Sequence, residues 1–335
     1  VARILSGIQP SGEMHLGNYL GAIRGWVAAQ HHFDAFYCVV DLHALSGDHD
    51  PKALADRTLE TAVNLLSAGL DPSACTLFIQ SHVPEHTRLS WLLECVATLG
   101  ELRRMTQFKD KTASRGSSES SRVGLFTYPV LQAADILLYD ADLVPVGDDQ
   151  RQHLELTRDL AQRFNHHYGE TFVIPEARVP EVAARVMDLQ HPTRKMSKSV
   201  SSPQGTIGVL DPPEQVARKV RRAVTDAETE VRYDPVAKPG VSNLLELLAA
   251  ATGGDPAALA AGFSNYGDLK QAVAEALVEM LRPVRERHDE LAADPGYIAS
   301  VLATGAERAG QVAAATYERA ANAIGLLHPW SLPTS

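Results

Sequence analysis

Three features of the sequence predict an α/β protein, a doubly wound parallel sheet with a C-terminal helical domain. The first half alternates short apolar runs with helical patterns, the order that builds parallel strands joined by crossover helices. Its apolar runs are continuous, as in strands buried on both faces. From Pro213 onwards the pattern is almost wholly helical.

Ile4-Leu5 begins the first strand, which runs into a turn containing Pro10, Ser11 and Gly12. Tyr19, Leu20, Ile23, Trp26 and Val27 then recur at helical spacing. The apolar run 36–40 is the second strand. Asp50-Pro51 supplies an N-cap followed by proline at the first helical position. Leu59, Ala62, Val63 and Leu66 mark that helix's buried face, and Gly69 is placed to close it. Residues 76–79 form the third strand. A helix is expected over 89–99, burying Trp91, Leu92, Cys95 and Val96. Ile136-Leu137-Leu138 ends another helix, and a strand follows at 143–146. Ser and Gly crowd 113–121, a loop pattern, and a second loop is expected over 193–208. Later helices are expected over 243–251, 268–282 and about 305–324, with no internal repeat.

At 335 residues the chain suits one large domain or two ordinary ones. Its 45% hydrophobic and 21% charged content fits a globular protein with a real core. No apolar run nears the roughly 20 residues of a membrane helix. The N-terminus lacks the basic-then-apolar pattern of a secretory signal. The net charge of −10 argues against a non-specific nucleic-acid coat but permits local basic patches. One comprises Arg103, Arg104, Lys109, Lys111, Arg115 and Arg122; the other comprises Arg218, Lys219, Arg221 and Arg222. A solvated helix face is the plainer alternative for each. The three cysteines, Cys38, Cys75 and Cys95, are odd in number and lack CxxC spacing, which argues against disulfides or a zinc site. Cys38 and Cys75 sit in apolar runs as core residues, and a reducing cytoplasm is the expected compartment.

Two segments carry the chemistry. The first strand leads through Gly7-Ile8-Gln9-Pro10-Ser11-Gly12 to a helix that begins near His15-Leu16-Gly17-Asn18. Backbone N–H groups at a helix start hold anions, and doubly wound sheets bind ligands at the carboxyl ends of their strands. Gly17 lets a flat ring lie on the backbone, and His15 offers a donor to a phosphate oxygen. Far downstream, Lys195-Met196-Ser197-Lys198-Ser199 brings two ammonium groups and two hydroxyls on a loop, without a base, a metal-ligand set or a partnered nucleophile. Such a loop suits neutralising polyphosphate charge that grows in a transition state. A surface histidine at a helix start and a solvated Lys/Ser linker remain the alternatives for each segment alone.

Together the segments resemble the paired signatures of class I aminoacyl-tRNA synthetases. Residues 7–12, 127–136 and Val146-Gly147-Asp148-Asp149-Gln150 are similar to the tryptophanyl enzymes of bacteria, and the similarity extends over almost the whole chain. The resemblance implies a Rossmann-like catalytic domain over 1–200, a helical tRNA (anticodon)-binding region over 201–300, and a C-terminal helix within 301–335 packing back on the catalytic domain. It implies activation of L-tryptophan by ATP, transfer to tRNA(Trp), and a homodimer. Magnesium would be held mainly by ATP phosphates.

Matching positions carry implied roles. His15, Lys111, Lys195 and Lys198 would act in catalysis. Gln9, Pro10, Ser11, Gly17, Asn18, Gly147, Asp148, Asp149 and Val186 would bind ATP, with Lys195, Met196, Ser197, Lys198 and Ser199. Leu5, Gln9, His43, Tyr128, Gln132, Asp135, Val144, Val146 and Gln150 would hold tryptophan. Asp135 would accept the indole N–H, and Tyr128 and Gln150 would bind the α-amino group. Leu5 and Gln132 stand where other members have Phe and Met. An aspartate on an apolar helix is more often a cap or the partner of a basic residue. A buried carboxylate needs a partner, and an indole N–H is suitable. Tyrosine–tRNA ligation, a non-ligase nucleotidyltransferase and a catalytically silent ATP- or RNA-binding module are the competing readings.

Overall fold

The computed structural model describes residues 1–10, 13–106, 122–147, 150–178, 186–197 and 202–327. Five parallel strands form one sheet: β1 Arg3–Ile8, β2 Asp34–Val39, β3 Cys75–Ile79, β4 Leu143–Pro145 and β5 Glu176–Arg178. Their spatial order is β3-β2-β1-β4-β5. The chain winds outward from β1 to β3, then returns to the other side of β1. The strand order therefore reverses between β1 and β4, the place where such sheets open a crevice at their carboxyl ends.

Successive strand residues enter different cores, as the period-two pleat requires. Ile4, Tyr37, Val39, Leu77 and Ile79 face one core; Leu5, Phe36, Cys38 and Phe78 face the other. Both faces are covered, which accounts for the continuous apolar runs.

The helix after β1, α1, starts as Leu16–Asn18, widens into a π-helical turn at Tyr19–Ile23 and ends as Arg24–Ala29. It is followed by α2 Asp41–Ala44, α3 Pro51–Ser67, α4 Glu85–Glu94, α5 Leu99–Arg104, α6 Val123–Leu137 and α7 Arg151–Tyr168. The later part contains α8 Pro213–Arg221, α9 Pro239–Thr252, α10 Pro256–Ala260, α11 Tyr266–Ala292 and α12 Pro295–Ile324. The first core continues into Val216, Leu244 and Leu277 of this later part, so α8, α9 and α11 share it with the sheet. The final helix turns back to β3 and α4, with Ala309, Ala313 and Ala320 buried in the second core.

Several local expectations need correction. The segment expected to be one helix over 89–99 is the end of α4 and the start of α5, because Thr98 caps a new helix by accepting from the Glu101 N–H. Trp91 is 65% exposed and Cys95 is exposed; Leu89, Leu92 and Leu93 bury that face instead. Leu59 is likewise exposed, while Ala62, Val63 and Leu66 are buried. Helix α11 runs through Pro283 and α12 begins ten residues before its expected start, where Asp294 caps it and Pro295 takes the first position.

Candidate active site

The crevice between β1 and β4 holds a cavity of about 350 Å³. Strand β1 contributes Leu5 and Gly7, with Gln9 just beyond its end; β4 contributes Val144 and Pro145, with Val146 beyond. Tyr128, Gln132 and Asp135 come from α6, His43 from α2, and Gln150 caps α7. All nine residues assigned from the resemblance to the amino-acid substrate line this one space. Their convergence follows from the topology: the strand ends meet here, and α6 presents residues 128, 132 and 135 at helical spacing.

Asp135 is buried and already bonded. His43 Nε2 lies 2.8 Å from its Oδ2, His86 Nδ1 2.6 Å from its Oδ1, and Gln80 Nε2 donates to Oδ1 at 2.7 Å. The aspartate therefore has protein partners without any ligand, contrary to the premise that an incoming donor is what makes its burial tolerable. Burial opposes its charge, but the His43 imidazole beside it and the hydrogen bonds from His43 and His86 prevail. The carboxyl is held well below the usual carboxylate range. A carboxylate offers about four lone-pair directions. Three are used by the donors above, which leaves Oδ2 with a direction for one further donor.

This network contains two residues that sequence reasoning missed. Gln80 follows the end of β3; its Oε1 accepts from the Leu42 N–H at 3.1 Å, which fixes its amide with the donor toward Asp135. His86 Nε2 meets the Tyr139 hydroxyl at 2.8 Å. Burial pushes the Tyr139 hydroxyl up, so it keeps its proton. The sequence shows only a glutamine directly after the apolar run 76–79; its burial and its remote partners are visible in the structure alone.

Also in the cavity lining, Tyr128 Oη lies 2.9 Å from His153 Nε2, and burial pushes its hydroxyl up to about 12. Gln132 Nε2 donates to Gln150 Oε1 at 3.2 Å. The cavity lining thus combines the Asp135 carboxylate, the apolar Leu5, Val144 and Val146, and the polar groups of Tyr128, Gln132 and Gln150. A flat apolar ring with one N–H and a polar tail matches that combination.

The phosphate-handling candidates gather around the start of α1. His15 is its N-cap: His15 Nδ1 accepts from the Asn18 N–H at 3.3 Å, and Asn18 Oδ1 accepts from the His15 N–H at 3.4 Å. With Nδ1 as acceptor, a neutral ring carries its proton on Nε2, which makes that atom a donor. A Cβ at Gly17 would lie 3.0 Å from the His15 ring and 3.6 Å from Met196 Cβ, so the two signature segments meet there. Met196 is buried and its N–H donates to Val186 O at 3.0 Å, while Lys195 is exposed. Pro10 is buried and Gly147 accepts from the Gln150 N–H at 3.0 Å. Ser197 is half-buried. Ser11, Lys111, Asp148, Asp149, Lys198 and Ser199 lie outside the described residues, as do Lys109 and Arg115 of the first basic patch.

The second basic patch is smaller than its sequence implied. Lys219 is buried, and its ammonium donates to Asp211 at 2.6 Å and to Thr206 O at 2.7 Å. Arg218, Arg221 and Arg222 remain exposed.

Comparison with known proteins agrees with this geometry. The sequence is 58% identical to tryptophan–tRNA ligase 1 of Streptomyces coelicolor, over 98% of this chain and 98% of that one. The crystal structure of tryptophanyl-tRNA synthetase from Mycoplasma pneumoniae matches with a TM-score of 0.88 and 38% identity, covering 97% of this chain and 98% of the other. That of the Campylobacter jejuni enzyme, complexed with ADP and tryptophan, matches with a TM-score of 0.83 and 35% identity over 97% and 100%. The family model described as tRNA synthetases class I (W and Y) matches residues 1–282, and the chain belongs to that family.

Proposed function

We infer that the chain is a tryptophan–tRNA ligase. A tryptophan carboxylate oxygen attacks the α-phosphorus of ATP, the bond to the bridging oxygen breaks, and pyrophosphate leaves. A ribose hydroxyl at the 3′ end of tRNA(Trp) then attacks the activated carbonyl, and AMP leaves. The observation that carries the amino-acid choice is the buried Asp135, held by His43, His86 and Gln80 in the wall of the cavity between β1 and β4, with a direction on Oδ2 left for one more donor. In this reading the indole N–H takes the remaining direction on Oδ2. Leu5, Val144 and Val146 enclose the ring beside His43 and Gln132. Tyr128, Gln150 and Gln9 receive the amino-acid head.

Catalysis rests on positioning and charge stabilisation, because the substrate supplies the nucleophile. His15 donates through Nε2 to a phosphate oxygen, and Gly17 and Asn18 receive the nucleotide with Pro10, Ser11, Gly147, Asp148, Asp149 and Val186. Lys195, Lys198 and Lys111 neutralise the leaving pyrophosphate, with Met196, Ser197 and Ser199 completing the loop. The Campylobacter relative's complex with ADP and tryptophan supports both substrates. Magnesium enters with ATP and takes its ligands mainly from the phosphates. Among the described residues no group of three or more His, Cys, Asp or Glu is placed to hold a metal ion.

The domain division is 1–200 for the catalytic part, 201–300 for anticodon recognition and 301–335 for the returning C-terminal helix. The exposed Arg218, Arg221 and Arg222 are candidates for tRNA phosphates. A symmetric homodimer is supported by the exposed Trp91 and Val123; Trp91 lines an open groove with Leu45 and Gly124. No helix among the described residues is long and apolar enough to cross a membrane; the proposed place of action is the cytoplasm, where protein biosynthesis occurs.

The test is amino-acid-dependent ATP–pyrophosphate exchange with tryptophan and tyrosine in parallel, followed by charging of tRNA(Trp). Exchange should require tryptophan and be negligible with tyrosine. Preferred exchange with tyrosine overturns the amino-acid assignment, and exchange without charging overturns the ligase.

A further inference from the structure

We propose that Asn243, on α9, is a positioning residue for Lys195 and Met196, acting through the backbone of Met187. The proposal rests on the reading of Lys195 as a pyrophosphate ligand. Met187 and Lys195 face each other in an antiparallel bridge. The Met196 N–H donates to Val186 O at 3.0 Å, and the Asp188 N–H donates to Arg194 O at 2.8 Å. One edge of the segment 186–188 is therefore taken by the loop that carries the lysine. In an extended strand the next peptide groups point to the opposite edge, and there Asn243 receives both. The Met187 N–H donates to Asn243 Oδ1 at 3.0 Å, and Asn243 Nδ2 donates to Met187 O at 3.1 Å. The carboxamide occupies the place of a third strand's peptide group.

The rest of the surroundings makes this contact a mechanical one. Asn243 is buried between Val241 and Leu244 on a helix whose start is locked in place. A Cβ at Gly240 would lie 2.1 Å from Val224 O, so only glycine permits this approach. The Val224 N–H donates to Leu189 O at 2.8 Å, and the Leu189 N–H donates to Gly205 O at 3.0 Å, which ties both ends of the lysine loop to the same turn. Beyond the loop, the Leu16 N–H donates to Ile207 O at 2.8 Å, and the Val209 N–H donates to Met14 O at 2.9 Å. The loop is thus strung between the His15 segment on one side and α9 on the other. Asn243 sets the register on the α9 side and does not line the amino-acid cavity. Its removal should misplace Lys195 without altering the amino-acid pocket.

The experiment compares Asn243→Ala, Lys195→Ala and the double variant in the full chain. It measures tryptophan-dependent pyrophosphate exchange, tryptophan Kd and the thermal midpoint. A displacement near 1 Å costs on the order of 100-fold, so Asn243→Ala should lower kcat about 10- to 100-fold while tryptophan Kd stays within about twofold. The double variant should lose no more than Lys195→Ala alone, since both act through one group. A lowered thermal midpoint with unchanged kcat, a Kd that moves with kcat, or losses that multiply in the double variant would each overturn the proposal. An unchanged kcat in Lys195→Ala removes the phosphate role of Lys195 and the proposal with it, a failure visible in that single variant. Asn243→Asp, which keeps the acceptor for the Met187 N–H, is judged by the same criteria if Asn243→Ala does not fold.

Discussion

The amino-acid cavity and the phosphate side of the site are held together by different means. The cavity is walled by strand ends and helices of one α/β unit, and its key acceptor, Asp135, is buried and bonded by His43, His86 and Gln80 before any substrate arrives. The phosphate side is assembled from segments about 180 residues apart, His15 to Met196, that meet through a few backbone hydrogen bonds and the close approach at Gly17. On the proposed reading, recognition of the amino acid is preorganised within a packed core. Handling of the nucleotide depends on the alignment of two chain regions. Disturbing the first should affect one substrate severely; disturbing the second should affect the other substrate more gradually.

The sharpest way to break this contrast is Asp135→Ala. It removes the proposed indole acceptor and leaves the donors of Gln80, His43 and His86 unpaired in a buried site. Loss of a charged hydrogen-bond partner together with stranded donors costs about 3–4 kcal/mol, so kcat/KM for tryptophan should fall roughly 100- to 1000-fold. The KM for ATP should hardly change. Steady-state pyrophosphate exchange with each substrate varied in turn decides this, and equal losses for both substrates would erase the distinction between the regions.

Gly17→Ala probes the other side with a smaller effect. The added methyl must push the His15 ring by a few tenths of an ångström, and the ring is held by its bond from the Asn18 N–H. The KM for ATP should rise about 10-fold, with tryptophan Kd unchanged in equilibrium binding. A change in tryptophan affinity of similar size would show that the two regions are one mechanical unit.

The difference also governs what was legible in the sequence. The strands were readable because both faces of the sheet are buried, so their apolar runs are unbroken. The nine cavity residues were readable through motif resemblance, and the topology explains why they meet. Gln80, His86 and Asn243 were not readable: each is a buried polar side chain whose partner is remote in sequence, so no local pattern announces it. Burial of Lys219 was hidden differently: its basic neighbours suggested an exposed patch, whereas Asp211, eight residues earlier, receives its ammonium. Pro283 misled because proline usually ends a helix; here α11 continues through it with Leu281 and Val284 packed in the core on either side. Trp91 misled because a large apolar side chain in a helical repeat reads as core; Leu89, Leu92 and Leu93 form the buried side of α4, and Trp91 lies outside it.

The smallest predicted effect serves as a control for the comparison. Glu101 lies at the start of α5, where it accepts from the Thr98 N–H at 2.9 Å and receives the Arg163 guanidinium of α7. The hydrogen bonds from Arg163, opposed by burial and aided by those from Thr98, pull its carboxyl down to about 2. A folded-state value below the unfolded one gives stability that is present above about pH 4.5 and lost as the pH falls toward 2. Glu101→Gln keeps an acceptor for Thr98 but loses the charge, so it should destabilise the fold by about 1 kcal/mol at pH 7, after allowance for solvent screening. The gap from the parent protein should close as the pH drops through that window, because the parent loses its advantage when Glu101 is protonated. Unfolding by urea at pH 7 and pH 3 measures it. Since this pair touches neither the cavity nor the His15 segment, both KM values should stay at the parent level, and a shift in either would mean that global stability, and not local architecture, separates the two regions.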